Sequence, residues 1–288
     1  MNDMTAHAFS KMNGLGNDFV VVDVRASGAA FSGSVIRAIA DRDTGIGCDQ
    51  FILIERPRNS GDCFMGIRNA DGGEVEACGN AARCVVSLML EETGKAEVTV
   101  ETLGALTKGW RAANGDICVD MGTPKLDWRD IPLAEEIRDT RGIELQIGPI
   151  DNPILHTPAA VNMGNPHAIF FVEDTSAYDL TKIGPLLENH PMFPERANIS
   201  LAQVIDRNHI QLVVWERGVG LTRACGTAAC ATAVAAARKQ LTDRQVTVSL
   251  PGGDLALEWR KSDDHVLMTG PVDHEYDGTL DARLLEAV

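Results

Sequence analysis

The chain has 288 residues, of which 44% are hydrophobic and 23% are charged, and its formal net charge is −15. This length allows two domains that each bury a core. No segment approaches the roughly 18 apolar residues of a membrane span, and the acidic chain has only scattered Lys and Arg, so membrane and nucleic-acid partners are excluded. The stretch MNDMTAHAFSKMNGLG has no apolar core behind a basic patch, so no secretory signal is expected and the predicted location is cytoplasmic.

The cysteines are odd in number, and a chain of this size does not need disulfides, so reduced thiols are expected. No Cys-x-x-Cys pair and no neighbouring His gives the spacing of a zinc site, which predicts no metal and disfavours a thiol redox protein. A Gly-rich dinucleotide motif and a pyridoxal lysine setting are not evident either, so no cofactor is expected. The seven cysteines are at positions 48, 63, 78, 84, 118, 225 and 230.

The first half of the chain begins with strand patterns and continues into a helix. The strand patterns are FVVVD, QFILIE and FMGIRNAD, and they precede the stretch EACGNAARCV. The helix after Cys78 is predicted to run to about Glu92 and to stop at Gly94. It is apolar on nearly every side, which predicts that it is buried.

The second half repeats this order of elements. The strand patterns AIFFVE and IQLVVWE precede RACGTAACAT, and QVTVSL, LALEW and HVLMTG follow an Ala-rich helix that ends at Arg238 and Lys239. Matching landmarks are separated by a constant offset, which indicates an internal repeat of domain size. The offset is 147 residues for Cys78 and Cys225, and 148 for Asn17 and Asn165, Thr99 and Thr247, and Gly122 and Gly270.

The repeat predicts an α+β fold with two pseudo-symmetric lobes. In each lobe a curled mixed or antiparallel sheet is expected to surround a central helix. The first lobe is predicted over residues 1–121, with 271–288 packing back on it, and the second over 122–270.

The repeated Cys-Gly pair predicts chemistry at the start of each central helix. A lone cysteine there is more often a buried hydrophobic residue, but duplication favours a function. Unpaired N–H groups and the helix dipole favour an anion at such a position and lower the pKa of a thiol. Two thiols can remove a proton from one face of a carbon acid and return one to the other face. The backbone N–H groups that would stabilise a substrate carboxylate belong to Gly79, Asn80, Gly226 and Thr227.

Six motifs along nearly the whole chain resemble those of the diaminopimelate epimerase family. They are KMNGLGNDFVVVD, GIGCDQFILIE, NADGGEVEACGNAARC, NMGNPH, FPERANI and VWERGVGLTRACGTAACA. The resemblance implies a cofactor-independent isomerase with one catalytic cysteine in each lobe. Its substrate would be diaminopimelate, interconverted between the LL and meso forms for lysine and peptidoglycan synthesis. The same resemblance is compatible with a homodimer.

The resemblance also implies a role for each matching residue. Cys78 and Cys225 would be the acid and base, and His167 and Glu216 would tune the thiols and receive the amino group. Asn17 and Gln50 would contact the substrate in the first lobe. The residues implied to hold the distal end of the substrate are Asn69, Asn165, Asn198 and Arg217.

Simpler interpretations of these residues stay open at this point. Asn17 and Asn165 would also suit turns beside Gly16 and Gly164. His167 alone would suit a structural role, and Arg217 could pair with Glu216, although neighbouring strand residues point apart. Two alternatives for the whole chain are a proline or hydroxyproline racemase of the same fold and a non-catalytic binding module. The chain departs from the family pattern at Asn13, Cys48, Ala81, Leu221 and Ala228.

Overall fold

The structure, a computed structural model, describes residues 7–286. Within this part the chain divides into two compact units, the first containing residues up to Val119 and from Gly270 onward, and the second running from Asp120 to Thr269. The first six residues of the N-terminal stretch that predicted no secretory signal lie outside the described residues. No helix among residues 7–286 is long and apolar enough to cross a membrane.

The first unit begins with ten elements. Its two helices are Gly33–Ala40 (α1) and Gly79–Thr93 (α2). Its strands are Ala8–Gly14 (β1), Asn17–Asp23 (β2), Gln50–Glu55 (β3), Cys63–Asn69 (β4), Glu74–Val75 (β5), Glu97–Glu101 (β6), Leu106–Arg111 (β7) and Ile117–Asp120 (β8).

The second unit adds a small two-stranded sheet and then repeats the same order. The small sheet pairs Gln146–Ile147 (β9) with Leu155–His156 (β10). The helices are Leu180–Glu188 (α3) and Gly226–Arg238 (α4), and a 3-10 turn covers Thr175–Ala177. The remaining strands are Ala159–Asn162 (β11), Pro166–Phe171 (β12), Asn198–Asp206 (β13), His209–Glu216 (β14), Gly220–Thr222 (β15), Gln245–Leu250 (β16), Gly253–Trp259 (β17) and Val266–Gly270 (β18).

The strand pairing is the same in both units. In the first unit β1–β2 is antiparallel, β2–β3 parallel, β3–β4 antiparallel, β4–β6 parallel, and β6–β7–β8 antiparallel. In the second unit β11, β12, β13, β14, β16, β17 and β18 pair in the same sequence of directions. The short strands β5 and β15 add to β4 and β14. The predicted mixed sheets and internal repeat are therefore confirmed.

The helices α2 and α4 occupy the centres of the two sheets. Helix α2 packs against β1, β2, β6 and β7, and α4 packs against β11, β12, β13, β16 and β17. Because strands from both ends of each pairing series contact one helix, each sheet is curled around its helix. The predicted ends are confirmed: α2 stops before Gly94, which has φ 65°, and α4 stops before Lys239.

The helices α1 and α3 were not predicted, and they are a second repeated pair. They begin at Gly33 and Leu180, 147 residues apart. Helix α1 covers the face of the sheet that α2 leaves free, since Val20 and Val22 pack with its residues while Phe19 and Val21 are buried on the other face. Helix α3 packs against β13 and β14 in the second unit. Each sheet is therefore covered on both faces.

The chain end returns to the first unit. Strand Asp273–Thr279 (β19) pairs with β1 in antiparallel register, from Asp273 opposite Asn13 to Thr279 opposite Ala8. The short helix Ala282–Leu285 (α5) follows, and its residues Leu284 and Leu285 pack at the edge of the core under α1.

Candidate active site

Both repeated cysteines occupy the N-cap position of a central helix. Cys78 has φ −147° and ψ 112°, and Cys225 has φ −138° and ψ 107°, so both are extended residues and neither side chain caps its helix. The Cys78 carbonyl accepts from the Ala82 N–H at 2.9 Å, and the Cys225 carbonyl accepts from Ala229 at 3.0 Å. The backbone N–H groups of the first turn have no intrahelical partner, so each helix start can bind an anion beside its thiol.

In the first unit, polar side chains gather at the strand ends next to the start of α2. Asn17 begins β2, Gln50 begins β3 and Asn69 ends β4, and Gln50 is directly opposite Asn69 in the ladder. The Cys78 thiol donates to Asn17 Oδ1 at 3.9 Å, and Gln50 Nε2 donates to Asn69 Oδ1 at 3.0 Å. Sheet register and helix start thus bring the predicted first-lobe residues together.

Two amide oxygens in this first group are buried without a hydrogen-bond partner among the described residues. They are Gln50 Oε1 and Asn80 Oδ1, and Asn80 is only 3% exposed. A buried acceptor without a donor is unfavourable. The two oxygens therefore suit a ligand that brings N–H groups, such as an amino acid.

In the second unit the corresponding strand ends carry a different set of side chains. His167 in β12 is opposite Asn198 in β13, as Phe19 is opposite Gln50 in the first unit. Asn198 Oδ1 accepts from the Arg217 backbone N–H at 2.9 Å, and its Nδ2 donates to the Pro166 carbonyl at 3.0 Å. The Arg217 guanidinium donates to the Glu195 carbonyl at 2.9 Å. No ion pair joins Arg217 to Glu216 in the described chain, so the expectation that they point apart is met.

His167 is a neutral ring with one open acceptor. It is fully buried, and burial together with the Arg217 charge lowers its pKa to about 3. Its Nε2 is 2.7 Å from Asn165 Oδ1, which accepts, so the proton is assigned to Nε2. Nδ1 is then a lone-pair acceptor, buried and without a partner among residues 7–286. The arrangement can accept a hydrogen bond from an N–H group.

The Cys225 thiol is paired with a carboxylate. Burial first, and then the nearby Glu216 charge, raise the pKa of Cys225 well above the ordinary value, against the opposing effects of Thr227 and the Ala228 N–H. Burial raises the pKa of Glu216, and hydrogen bonds from Thr222 and Cys225 oppose that rise. Thr222 Oγ1 lies 2.6 Å from Glu216 Oε1, and Thr227 Oγ1 lies 3.5 Å from the Cys225 sulfur.

This finding corrects one expectation from the sequence. The helix start was expected to lower the thiol pKa, but at Cys225 the loss of solvent outweighs the dipole, because the residue is only 5% exposed and faces a carboxylate. The thiol form is therefore favoured at Cys225. Glu216 is the group in hydrogen-bond contact that can take its proton.

Three residues with structural roles at the site were not identified from the sequence. Asp49 accepts from Asn17 Nδ2 at 2.8 Å, and Thr222 donates to Glu216. Glu188, at the end of α3, is buried and accepts from Trp215 Nε1 at 2.7 Å and from the Gly218 N–H at 2.9 Å. Glu188 thus fixes both sides of the turn that carries Glu216 and Arg217. Of these three residues, only Asp49 could have been suspected from the sequence, because it is adjacent to Gln50.

The departures from the family pattern leave the site intact. Ala81 and Ala228 are fully buried in the first turns of α2 and α4, and Cys48 is 2% exposed with its pKa raised to about 11 by burial. Leu221 is 52% exposed, and Thr222 supplies the polar contact to Glu216. Asn13 Oδ1 accepts from the Gly16 N–H at 2.7 Å and so shapes the turn before Asn17. Among the described residues, no cluster of three or more His, Cys, Asp or Glu could hold a metal ion.

Solved structures define the class of fold. A phenazine biosynthesis protein of the PhzF family from Bacillus anthracis has a TM-score of 0.67, with 15% identity over 96% of this chain and 100% of its own. A hydroxyproline epimerase from Agrobacterium vitis, solved with trans-4-hydroxy-L-proline, has a TM-score of 0.68, with 13% identity over 97% of this chain and 94% of its own. At these identities the likeness shows the fold alone, which this chain shares with both proteins.

Sequence comparison identifies the family. The diaminopimelate epimerase family model matches residues 9–126 and 159–275. The diaminopimelate epimerase of Afipia carboxidovorans is 57% identical over 290 residues, covering 100% of both chains, and that of Rhodopseudomonas palustris is 56% identical over 288 residues, covering 100% of this chain and 99% of its own. The chain belongs to the diaminopimelate epimerase family and is an amino-acid epimerase, as the resemblance in the sequence predicted.

Proposed function

We propose that the chain interconverts LL- and meso-diaminopimelate by proton transfer at the α-carbon, in the synthesis of lysine and peptidoglycan precursors. The single observation that carries the mechanism is the extended cysteine at the N-cap of each central helix. Relatives more than half identical over the full length carry the name of this activity. The function needs no cofactor, because the thiols and helix starts supply both the base and the charge stabilisation.

The proton steps balance between the two thiols. One cysteine, as thiolate, removes the α-proton and becomes a thiol, while the other gives its S–H proton to the opposite face of the carbanion and becomes a thiolate. The configuration at that carbon is inverted, and the reverse reaction exchanges the roles. Glu216 accepts the Cys225 proton to form the thiolate, and Asn17 holds the proton of Cys78.

The charge that develops on the substrate is stabilised at the helix starts. As the α-proton leaves, negative charge spreads into the α-carboxylate, and backbone N–H groups aimed at it lower the barrier. In this proposal those groups belong to Gly79 and Asn80 in α2 and to Gly226 and Thr227 in α4. The open Nδ1 of His167 accepts an N–H of the substrate amino group, as does Glu216.

The distal end of the substrate is bound by amides and one cation. Asn69 and Asn165 offer amide N–H groups, and the Arg217 guanidinium pairs with the distal carboxylate. Asn198 acts mainly by orienting Arg217, since its oxygen holds the Arg217 backbone. Gln50 and Asn17 complete the contacts in the first unit. A proline ring has no distal carboxylate or ammonium, so this set favours diaminopimelate over proline.

The test uses purified protein with LL-diaminopimelate, no added cofactor, and buffer in deuterium oxide. Formation of the meso isomer with deuterium at the α-carbon supports the proposal, and a metal chelator should leave the rate unchanged. Faster turnover of proline or hydroxyproline than of diaminopimelate would assign the chain to the alternative racemase, and binding without turnover would make it a binding module.

The location and assembly extend this proposal. We place the enzyme in the cytoplasm, where thiols such as Cys225 and Cys84 stay reduced. A homodimer, with which the sequence is compatible, stays a prediction that analytical ultracentrifugation tests.

A further inference from the structure

A network of four charged residues lies behind Asn17 in the first unit. Asp18 accepts from Lys11 Nζ at 2.6 Å and from Arg42 at 2.8 and 3.1 Å, and Arg42 also donates to Asp49 Oδ1 at 2.8 Å. Lys11 is only 5% exposed. Burial raises the pKa of Asp18, but hydrogen bonds from Arg42 and Lys11 lower it by a larger amount. The pKa of Asp18 therefore lies well below its usual range. Asp18 therefore carries a fixed negative charge in this network.

Asp49 connects this network to Asn17. Asp49 Oδ2 accepts from Asn17 Nδ2 at 2.8 Å and from the Asp18 N–H at 3.0 Å, while the Asp49 N–H donates to Asp18 at 3.0 Å. A carboxylate can only accept, so the amide nitrogen of Asn17 must face Asp49. The amide oxygen of Asn17 must then point the other way, and it is 3.9 Å from the Cys78 sulfur.

The two ends of this amide favour different forms of the Cys78 thiol. An amide oxygen accepts from the S–H of a thiol and favours the protonated form, whereas an amide N–H would donate to a thiolate and favour the ionised form. We propose that Asp49 is a positioning residue, which fixes the Asn17 amide so that its oxygen faces Cys78 and keeps this cysteine a proton donor. The catalytic consequence rests on the proposed function, but the effect on the thiol does not.

The variant Asp49→Asn removes this constraint. An amide at position 49 can donate to Asn17 Oδ1, so the Asn17 side chain can turn and present Nδ2 to the sulfur. The measurement is the rate of Cys78 alkylation by iodoacetamide in reduced protein as a function of pH, with each cysteine followed by peptide mass spectrometry. We expect the pH midpoint for Cys78 to fall by about one unit, while the midpoint for Cys225 does not change.

A double-variant cycle shows whether Asp49 acts through Asn17. In an Asn17→Ala background, Asp49→Asn should have no further effect on the Cys78 midpoint. The matched control is Asp62→Asn, because Asp62 accepts from the Thr99 N–H at 2.8 Å and pairs with Lys95 in the same unit, away from Asn17. Arg42→Met, at a side chain that is 58% exposed, should shift the midpoint in the same direction by a smaller amount and tests the idea if Asp49→Asn does not fold.

Activity gives a second, independent readout. If the proposed function holds, Asp49→Asn lowers kcat about tenfold with less than about a threefold change in KM, since the proton donor and not the substrate grip is altered. The inference is overturned if the Cys78 midpoint stays fixed in Asp49→Asn, if it shifts equally with and without Asn17, or if Asp62→Asn shifts it as much. Because alkylation needs no turnover, a protein that fails to epimerise diaminopimelate would disprove the proposed function and leave this test valid.

Discussion

The starts of α2 and α4 have nearly the same backbone but place different groups beside the sulfur. Cys78 faces the neutral amide of Asn17, which a charged network holds from behind. Cys225 faces the Glu216 carboxylate and the Thr227 hydroxyl, and His167 lies where the first unit has Phe19. The two copies of the repeat thus share the backbone of the helix starts, while the side chains on the strand ends differ.

The proposed reaction gives a reason for this divergence. A stereocentre carries four different groups, so an acid and a base that act on its two faces need different surroundings. Glu216 provides a place for the Cys225 proton, which a neutral amide cannot do. The two cysteines are therefore equivalent in position and distinct in the way that their protons are held.

The largest effect is expected from removing either thiol. Cys78→Ala and Cys225→Ala should each lower the rate of epimerisation by about a hundred- to ten-thousandfold, the range of a general acid or base. The rate is measured by chiral chromatography of diaminopimelate. Cys84→Ala and Cys230→Ala are matched controls, since both side chains are fully buried in the same helices, and they should keep most of the activity. Full activity of Cys78→Ala or Cys225→Ala would remove the two-thiol mechanism.

Glu216→Gln should remove the carboxylate that distinguishes the surroundings of Cys225 from those of Cys78. The neutral amide cannot take the Cys225 proton, so kcat should fall about a hundredfold. The carboxylate charge raises the pKa of Cys225, so its loss should lower the pH midpoint of Cys225 alkylation and leave that of Cys78 unchanged. Glu135→Gln, at an exposed position of the same unit, serves as the control. An unchanged midpoint at Cys225 would show that burial alone sets the pKa of this thiol.

Arg217→Met tests the proposed contact with the distal carboxylate, for which the equivalent position of the first unit offers no cation. Loss of a charged hydrogen bond costs about 1.5–3 kcal/mol, so KM for diaminopimelate should rise by roughly ten- to a hundredfold. Steady-state kinetics with both isomers gives KM, and Arg207→Met, an exposed arginine paired with Asp243, is the control. If KM stays the same, the distal carboxylate is bound elsewhere.

Much of the fold could be predicted because the chain contains it twice. The Cys-Gly stretches and the strands beside them share one offset, so each half supported the interpretation of the other. The helices α1 and α3 were missed because they are short and α3 contains Gly184 and Pro185, which suggest a turn in a sequence. Strand β19 was missed because six of its seven residues are exposed, so it lacks the alternation of a half-buried strand.

The candidate residues could be identified from the sequence, but their pKa shifts could not. The sign of the Cys225 pKa shift depends on how deeply the thiol is buried and on a carboxylate nine residues earlier in the chain. Asp49, Thr222 and Glu188 act through bonds to other side chains or to the backbone, and no local pattern marks such contacts. Family motifs therefore identify the candidate groups, and the structure identifies the groups that hold them.

The smallest effect is expected from the titration of His167, which tests the second unit alone. Its pKa is about 3 in the folded protein, against about 6.5 for an unperturbed histidine, because the ring is buried and faces the charge of Arg217. Below pH 6.5 the unfolded chain therefore binds a proton that the folded chain does not, so stability falls as the pH decreases toward 3. Between pH 7 and pH 5 this histidine should lower the free energy of unfolding by about 2 kcal/mol.

Equilibrium urea unfolding at pH 7 and pH 5 measures this loss, and His167→Gln should remove it while the exposed control His156→Gln keeps it. Phe19, at the equivalent position of the first unit, cannot titrate, so the first unit has no counterpart of this histidine's effect. If His167→Gln loses as much stability at pH 5 as the unsubstituted chain, the folded protein protonates this ring, and Nδ1 cannot be the open acceptor that the proposed contact with the substrate amino group requires.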